Sequence, residues 1–104
     1  MIITTQNEVA GREISETLGI VRGNTIRTKN IGSDFVAGLR NIVGGEITEY
    51  TKLMAEAREQ ALDRMLAQAR DMGADAVVAM RFSTSTVMQS AAELLAYGTA
   101  VKLK

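Results

Sequence analysis

The chain has 104 residues, neither cysteine nor histidine, and a formal net charge of zero from 12 basic and 12 acidic side chains. These numbers exclude disulfides, thiolate chemistry and Cys/His zinc sites, and they remove the commonest general base and transition-metal ligand. They also leave no electrostatic case for a nucleic acid or an anionic membrane surface as partner.

A chain of this length suits a single domain, residues 1–104, with a modest core. That core is aliphatic, because Phe35, Tyr50, Phe82 and Tyr97 are the only aromatic residues. The first residues, MIITTQNEVAG, lack a basic region followed by an apolar run, so no signal peptide is expected. No apolar stretch approaches the ~18 residues that a membrane span requires, and a cytoplasmic protein is the expectation.

In chain order, Ile2, Ile3 and Thr4 predict a short edge strand. From Glu13 to Thr28, Ile14, Glu16, Leu18, Ile20 and Arg22 alternate with Ser15, Thr17, Gly19 and Val21, an imperfect strand pattern. Gly23-Asn24 within it allows a hairpin turn between two strands or a bulge in one long strand. The few polar residues that follow favour the long strand with a bend. KNIGSDFVAGLRNIVGGE reads as a loop and a short helix. Ser33 or Asp34 caps it, Phe35, Val36, Leu39, Ile42 and Val43 form its apolar stripe, and Gly44-Gly45 ends it. No Lys-Ser/Thr follows the glycine pair, so an inter-helix linker outweighs a phosphate cradle.

The chain is organised around Glu46 to Phe82. Tyr50, Leu53, Met54, Ala57, Ala61, Leu62, Met65, Leu66, Ala69 and Met72 recur at three- and four-residue intervals, which predicts a long amphipathic helix. Thr48 or Thr51 caps its start, Gly73 ends it, and Arg70 complements the dipole in the last turn. The period then changes to two. Ala76, Val78, Met80 and Phe82 are expected on one face of an interior strand, with Val77, Ala79, Arg81 and Ser83 on the other. STSTVMQSAAE, residues 83–93, reads as a polar loop between antiparallel strands. The last strand puts Leu95, Tyr97, Thr99, Val101 and Leu103 on one face and Leu94, Ala96, Gly98 and Ala100 on the other. Gly98 there signals a bulge or the close approach of another backbone.

The expected architecture is therefore α+β: an antiparallel or mixed sheet with one long helix on one face. One helix covers one face only, and no proline blunts an edge, so self-association into a homo-oligomer is expected.

Catalytic chemistry has little to stand on. Acid–base work would fall to Glu46, Glu49, Glu56, Glu59, Asp63, Asp71 or Asp75, which are scattered as a solvated helix face would scatter them. Tyr97 and Arg81 would meet if their strands were neighbours, as a structural contact before a catalytic one. Met54, Met65 and Met72 lie on the helix stripe and Met80 in a strand interior, where core filling explains them; Met88 alone falls in polar sequence. The residues support no enzyme.

AGLRNIVGGE (37–46), Tyr50-Thr51 through EAREQAL (56–62), GADAVVAMRF (73–82) and LAYGTAV (95–101) together resemble the YbjQ-like family of small bacterial and archaeal proteins. The likeness covers the chain from about Ile14 onward, and its ordered set of stretches is specific although none is catalytic. The resemblance implies a strand–helix–strand–strand subunit of the dodecin-like type, assembled as a ring-shaped homopentamer. It also brings the family's label of "putative heavy-metal-binding", with no Cys or His here to carry over as a ligand. Glu46 and Asp75, repeated around a ring, are the metal candidates. Gly44, Gly45, Tyr50, Gly73, Tyr97 and Gly98 are the family-motif positions, with turn and packing roles. The expected function is a non-enzymatic oligomeric binding or scaffold domain whose small ligand is unknown; the alternative is a metal-ion-binding protein.

Overall fold

A computed structural model describes residues 1–28, 48–88 and 91–104. The elements in chain order are β1 (Ile2–Ile3), β2 (Ile14–Thr28), α1 (Thr48–Asp71), β3 (Ala76–Met88) and β4 (Ala91–Leu103). The strands form one four-stranded sheet in the order β1-β3-β4-β2. β1 runs parallel to β3, and β4 is antiparallel to both β3 and β2, so the sheet is mixed and the fold is α+β. The expected short helix of residues 33–43 lies outside the described residues.

β2 runs unbroken through Gly23-Asn24, as the long-strand reading expected. Gly23 is there for the helix. A Cβ on it would strike the Ala61 carbonyl oxygen and the Met65 amide nitrogen, so α1 crosses the strand backbone to backbone. The helix permits this approach because its buried ridge is mostly small: Ala57, Ala61, Met65 and Ala69, spaced four apart, are all fully buried. Ala61, Met65 and Ala69 pack with Val21, Val77, Met80, Leu94, Ala96 and Ala100 as the main core, flanked by Met54, Leu62, Leu66 and Met72.

The helix ends as its sequence predicts. Gly73 has φ +77°, its N–H donates to Arg70 O at 2.9 Å, and Ala74 N–H reaches back to Ala69 O at 3.0 Å. That pair of bonds satisfies carbonyls the last turn would otherwise leave open. Its start is at Thr48, so Thr51 lies inside the helix rather than capping it.

Two sequence expectations need correction. Residues 83–88 and 91–93, expected as loop, are strand: β3 continues to Met88 and β4 begins at Ala91. From Ser83 to Val87 both sides of the strand face solvent, and polarity there marks exposure rather than a turn. Second, β3 does not alternate strictly. Val78 pairs with Thr99 and Arg81 with Tyr97, so Ala79 and Met80 together oppose Gly98 in a β-bulge. Beyond the bulge the faces exchange. Met80 and Phe82 join Val77 on the helix side, and Arg81 joins Ala76 and Val78 on the other.

Candidate functional site

The candidate site is the sheet face turned away from α1. Paired residues of antiparallel strands share a face, so the register lays this surface out in rows. Ile20, Thr99 and Val78 form one row; Arg22, Tyr97 and Arg81 the next; Asn24, Leu95 and Ser83 a third; Ile26, Glu93 and Ser85 a fourth. The end near Ala76 is closed by a small second core, where Val9, Ile14 and Leu103 pack on Ala76, Val78 and Val101. The rest is open. Ile20 is 75% exposed, Ile26 57% and Tyr97 38%.

The bulge builds the second row. Ala79 holds φ at 53°, a left-handed conformation that a residue with a Cβ adopts at a cost of roughly 1–2 kcal/mol. Gly98 makes room for it, since a Cβ there would lie 2.7 Å from Val77 Cγ1 and 3.0 Å from Val78 O. The amino-terminal segment locks the bulge from outside: Ala79 N–H donates to Gln6 O at 2.7 Å and Met80 N–H to Thr4 O at 3.0 Å. Arg81 Nη1 donates to Thr5 O at 2.7 Å and Met80 O at 2.9 Å, which fixes its guanidinium at the margin of this segment. Without the extra residue, Arg81 would face the helix. Its result is a tyrosine flanked on neighbouring strands by two arginines.

The outer edge of β2 is occupied by helix side chains. Gln68 Oε1 accepts from Arg22 N–H at 2.7 Å, Arg64 Nη1 donates to Asn24 O at 2.5 Å, and Arg27 Nη2 donates to Gln60 Oε1 at 2.6 Å. Gln60, Arg64 and Gln68 stand four apart, so one stripe of α1 follows the strand edge. Arg27 Nε is buried with no hydrogen-bond partner among the described residues.

Among the residues singled out from the sequence, Tyr97 and Arg81 do come together as register partners. Gly98 is both the bulge partner and a close-approach glycine, and Gly73 is the helix terminator. Asp75 lies apart from the Arg–Tyr–Arg row, where its Oδ2 accepts the Leu103 N–H at 2.9 Å and its own N–H donates to Val101 O at 2.9 Å. Tyr50 lies in the first turn of α1; Gly44, Gly45 and Glu46 lie outside the described residues. Arg22 was missed. A lone arginine in an imperfect alternation carries no signal until its strand is paired with that of Tyr97.

A heavy metal does not fit the donors described here. Asp75 spends one carboxylate oxygen on a backbone N–H, and among the described residues no three Asp or Glu side chains gather. With no thiolate or imidazole in the chain, soft-ion ligation has only thioethers to draw on.

The chain was compared with known proteins. A sequence profile of the YbjQ family, described as "Putative heavy-metal-binding", matches residues 1–104. A UPF0145 protein of Methanococcus vannielii is 62% identical over 104 residues, covering 100% of this chain and 99% of that one. One of Methanosarcina acetivorans is 59% identical over 103 residues, covering 99% and 97%. One of Photobacterium profundum is 54% identical over 103 residues, covering 99% and 100%. A crystal structure of a protein of unknown function from Pediococcus pentosaceus matches with a TM-score of 0.63 at 18% identity, covering 100% of this chain and 98% of that one, which supports the fold alone. By the full-length match and these identities, the chain belongs to the YbjQ family of UPF0145 proteins.

Proposed function

We propose that this protein is a cytoplasmic, single-domain, non-enzymatic binding or scaffold protein that works as a ring-shaped homo-oligomer of dodecin-like subunits, with five copies as the expected number. The observation that carries the reading is the unsupported far half of β3. Residues 81–88 are all exposed, including the apolar Phe82, Val87 and Met88. The Cα radius of gyration is 17.3 Å, against about 13 Å for a compact chain of 100 residues, and the principal extents are 55 × 24 × 16 Å. A strand reaching beyond its helix, with Phe82, Val87 and Met88 uncovered, gains stability from a second copy laid against it. The cytoplasmic location, the dodecin-like type and the number five come from the sequence reading and the family resemblance.

The metal reading rests on the family's description, and no arrangement among the described residues favours it. Native mass spectrometry of the full chain, bare and after incubation with zinc, copper or manganese ions, tests both. A mass of five chains with no added metal is the expected result. A single-chain mass overturns the ring. Stoichiometric uptake of an ion at micromolar concentration replaces the bare scaffold with a metal carrier.

A further inference from the structure

We infer that the Arg22–Tyr97–Arg81 row is a binding site for an oxyanion, the phosphate or carboxylate group of a small ligand. The inference rests on the reading of this protein as a binding domain and names the ligand class its open face takes.

Three observations carry it. The first is composition. Tyr97 pairs with Arg22 on one side and Arg81 on the other, so two arginine residues flank one tyrosine across three strands that span about 10 Å. The rows on either side, Ile20–Thr99–Val78 and Asn24–Leu95–Ser83, contain no acid. Among the described residues of these rows, the nearest carboxylate, Glu93, lies two rows away. In a chain whose charges cancel overall, this local excess of two cations is unbalanced within the described rows beside it.

The second is strain. The sheet adopts a left-handed alanine, and keeps a glycine opposite it, in an arrangement whose consequence is that Arg81 stands on this face rather than under the helix. Backbone strain held in place by neighbours clusters where a side chain must be aimed, and bulges commonly do the aiming.

The third is preparation. Arg81 is anchored through Nη1 to two backbone carbonyls, which limits the rotamer freedom that binding would otherwise remove. The planar guanidinium then has its other N–H groups for an anionic oxygen, and the phenol O–H of Tyr97 between the arginines supplies a further donor. Exposed Ile20 and half-buried Leu95 beside the row suit a ligand with an apolar part next to its anionic group.

The test is NMR titration of the full-length protein, following arginine Nε–Hε and Tyr97 ring resonances, with inorganic phosphate and separately with succinate. Sodium chloride at matched ionic strength is the control, because screening alone moves surface resonances. The expected result is saturable shifts of Arg22, Tyr97 and Arg81 with one or both probes, and the stronger probe tells phosphate from carboxylate. Arg22→Gln is expected to weaken that binding by about tenfold or more, the loss of one charge-assisted hydrogen bond. Arg22 is exposed and remote from the core; Arg22→Lys, which keeps the charge but not the planar fork, is the second variant and is expected to bind at an intermediate level. No saturable shift with either probe overturns the site, as does unchanged binding by Arg22→Gln. If Arg22→Gln instead lowers the native mass and neither probe shifts the row, the row is a contact between copies and the ligand site is overturned. A protein that binds phosphate or succinate as a single chain keeps this site and loses only the ring.

Discussion

The two edges of the sheet are finished in opposite ways. At β2, α1 crosses so closely that only glycine fits beneath it, and the helix turns Gln68 and Arg64 onto the N–H of Arg22 and the carbonyl of Asn24. Two of the backbone groups that would invite another strand already have partners. At the other edge, β1 and the segment Thr4–Gln6 shield β3 only as far as the bulge. From Phe82 to Met88, among the described residues, that edge has no neighbouring strand. It also lacks the lysines, prolines and inward charges that commonly discourage pairing. One edge is closed by its own chain and the other is left for a partner. On the ring reading proposed above, the difference gives assembly a direction, and the helix does two jobs: it roofs the core and covers part of a border.

The comparison can be broken most severely at Gly23. Gly23→Ala places a Cβ against the backbone of Ala61 and Met65, neither of which can rotate away, so the helix must lift from the strand. A loss of about 3 kcal/mol or more is expected in urea unfolding, the upper end of overpacking penalties. A change below about 1 kcal/mol would mean that the crossing is looser than described.

A second substitution asks whether the open edge is the one that assembles. Met88→Lys puts a cation on a residue that is 60% exposed, where a monomer's own stability should change by no more than about 0.5 kcal/mol. The native mass is expected to fall towards the single-chain value of 11.2 kDa. An unchanged oligomer would move the interface elsewhere.

The mildest substitution is Gln68→Ala, which removes one bond to the β2 edge. A cost of about 1 kcal/mol is expected, with the N–H of Arg22 exchanging faster with solvent deuterium. If the variant also gains mass above the wild-type oligomer, the helix side chains are what keep β2 from pairing.

Much of this was legible in the sequence, and the parts that were not share a cause. The long helix, its stop at Gly73 and the faces of the last strand follow from periods that a single segment reveals by itself. So did the special status of Gly98, because a glycine inside an alternating strand needs a reason. Gly98 signalled a bulge or a close approach, but the extra residue on β3 was invisible. AVVAMRF satisfies strict alternation on paper, and only the pairing of Val78 with Thr99 and Arg81 with Tyr97 shows that a residue has been skipped. The far half of the β3–β4 hairpin was misread because Ser and Thr on a strand exposed on both sides look the same as Ser and Thr in a loop. The Arg–Tyr–Arg row could not be read at all until three strands were aligned, since its members come from positions 22, 81 and 97.

The central place of β4 has a consequence for how the molecule comes into being. Among the described residues β2, made early, pairs only with β4, with Ile14 meeting Leu103. On a ribosome the helix and β2 can meet first, but the sheet cannot close until the carboxy-terminal residues emerge. The β3–β4 hairpin, whose contacts are local, is then the natural nucleus, and β2 arrives with α1 already against it. The sealing of β2 by its helix thus acts before the native sheet exists, guarding an orphan strand through the interval when its proper neighbour has yet to be synthesised.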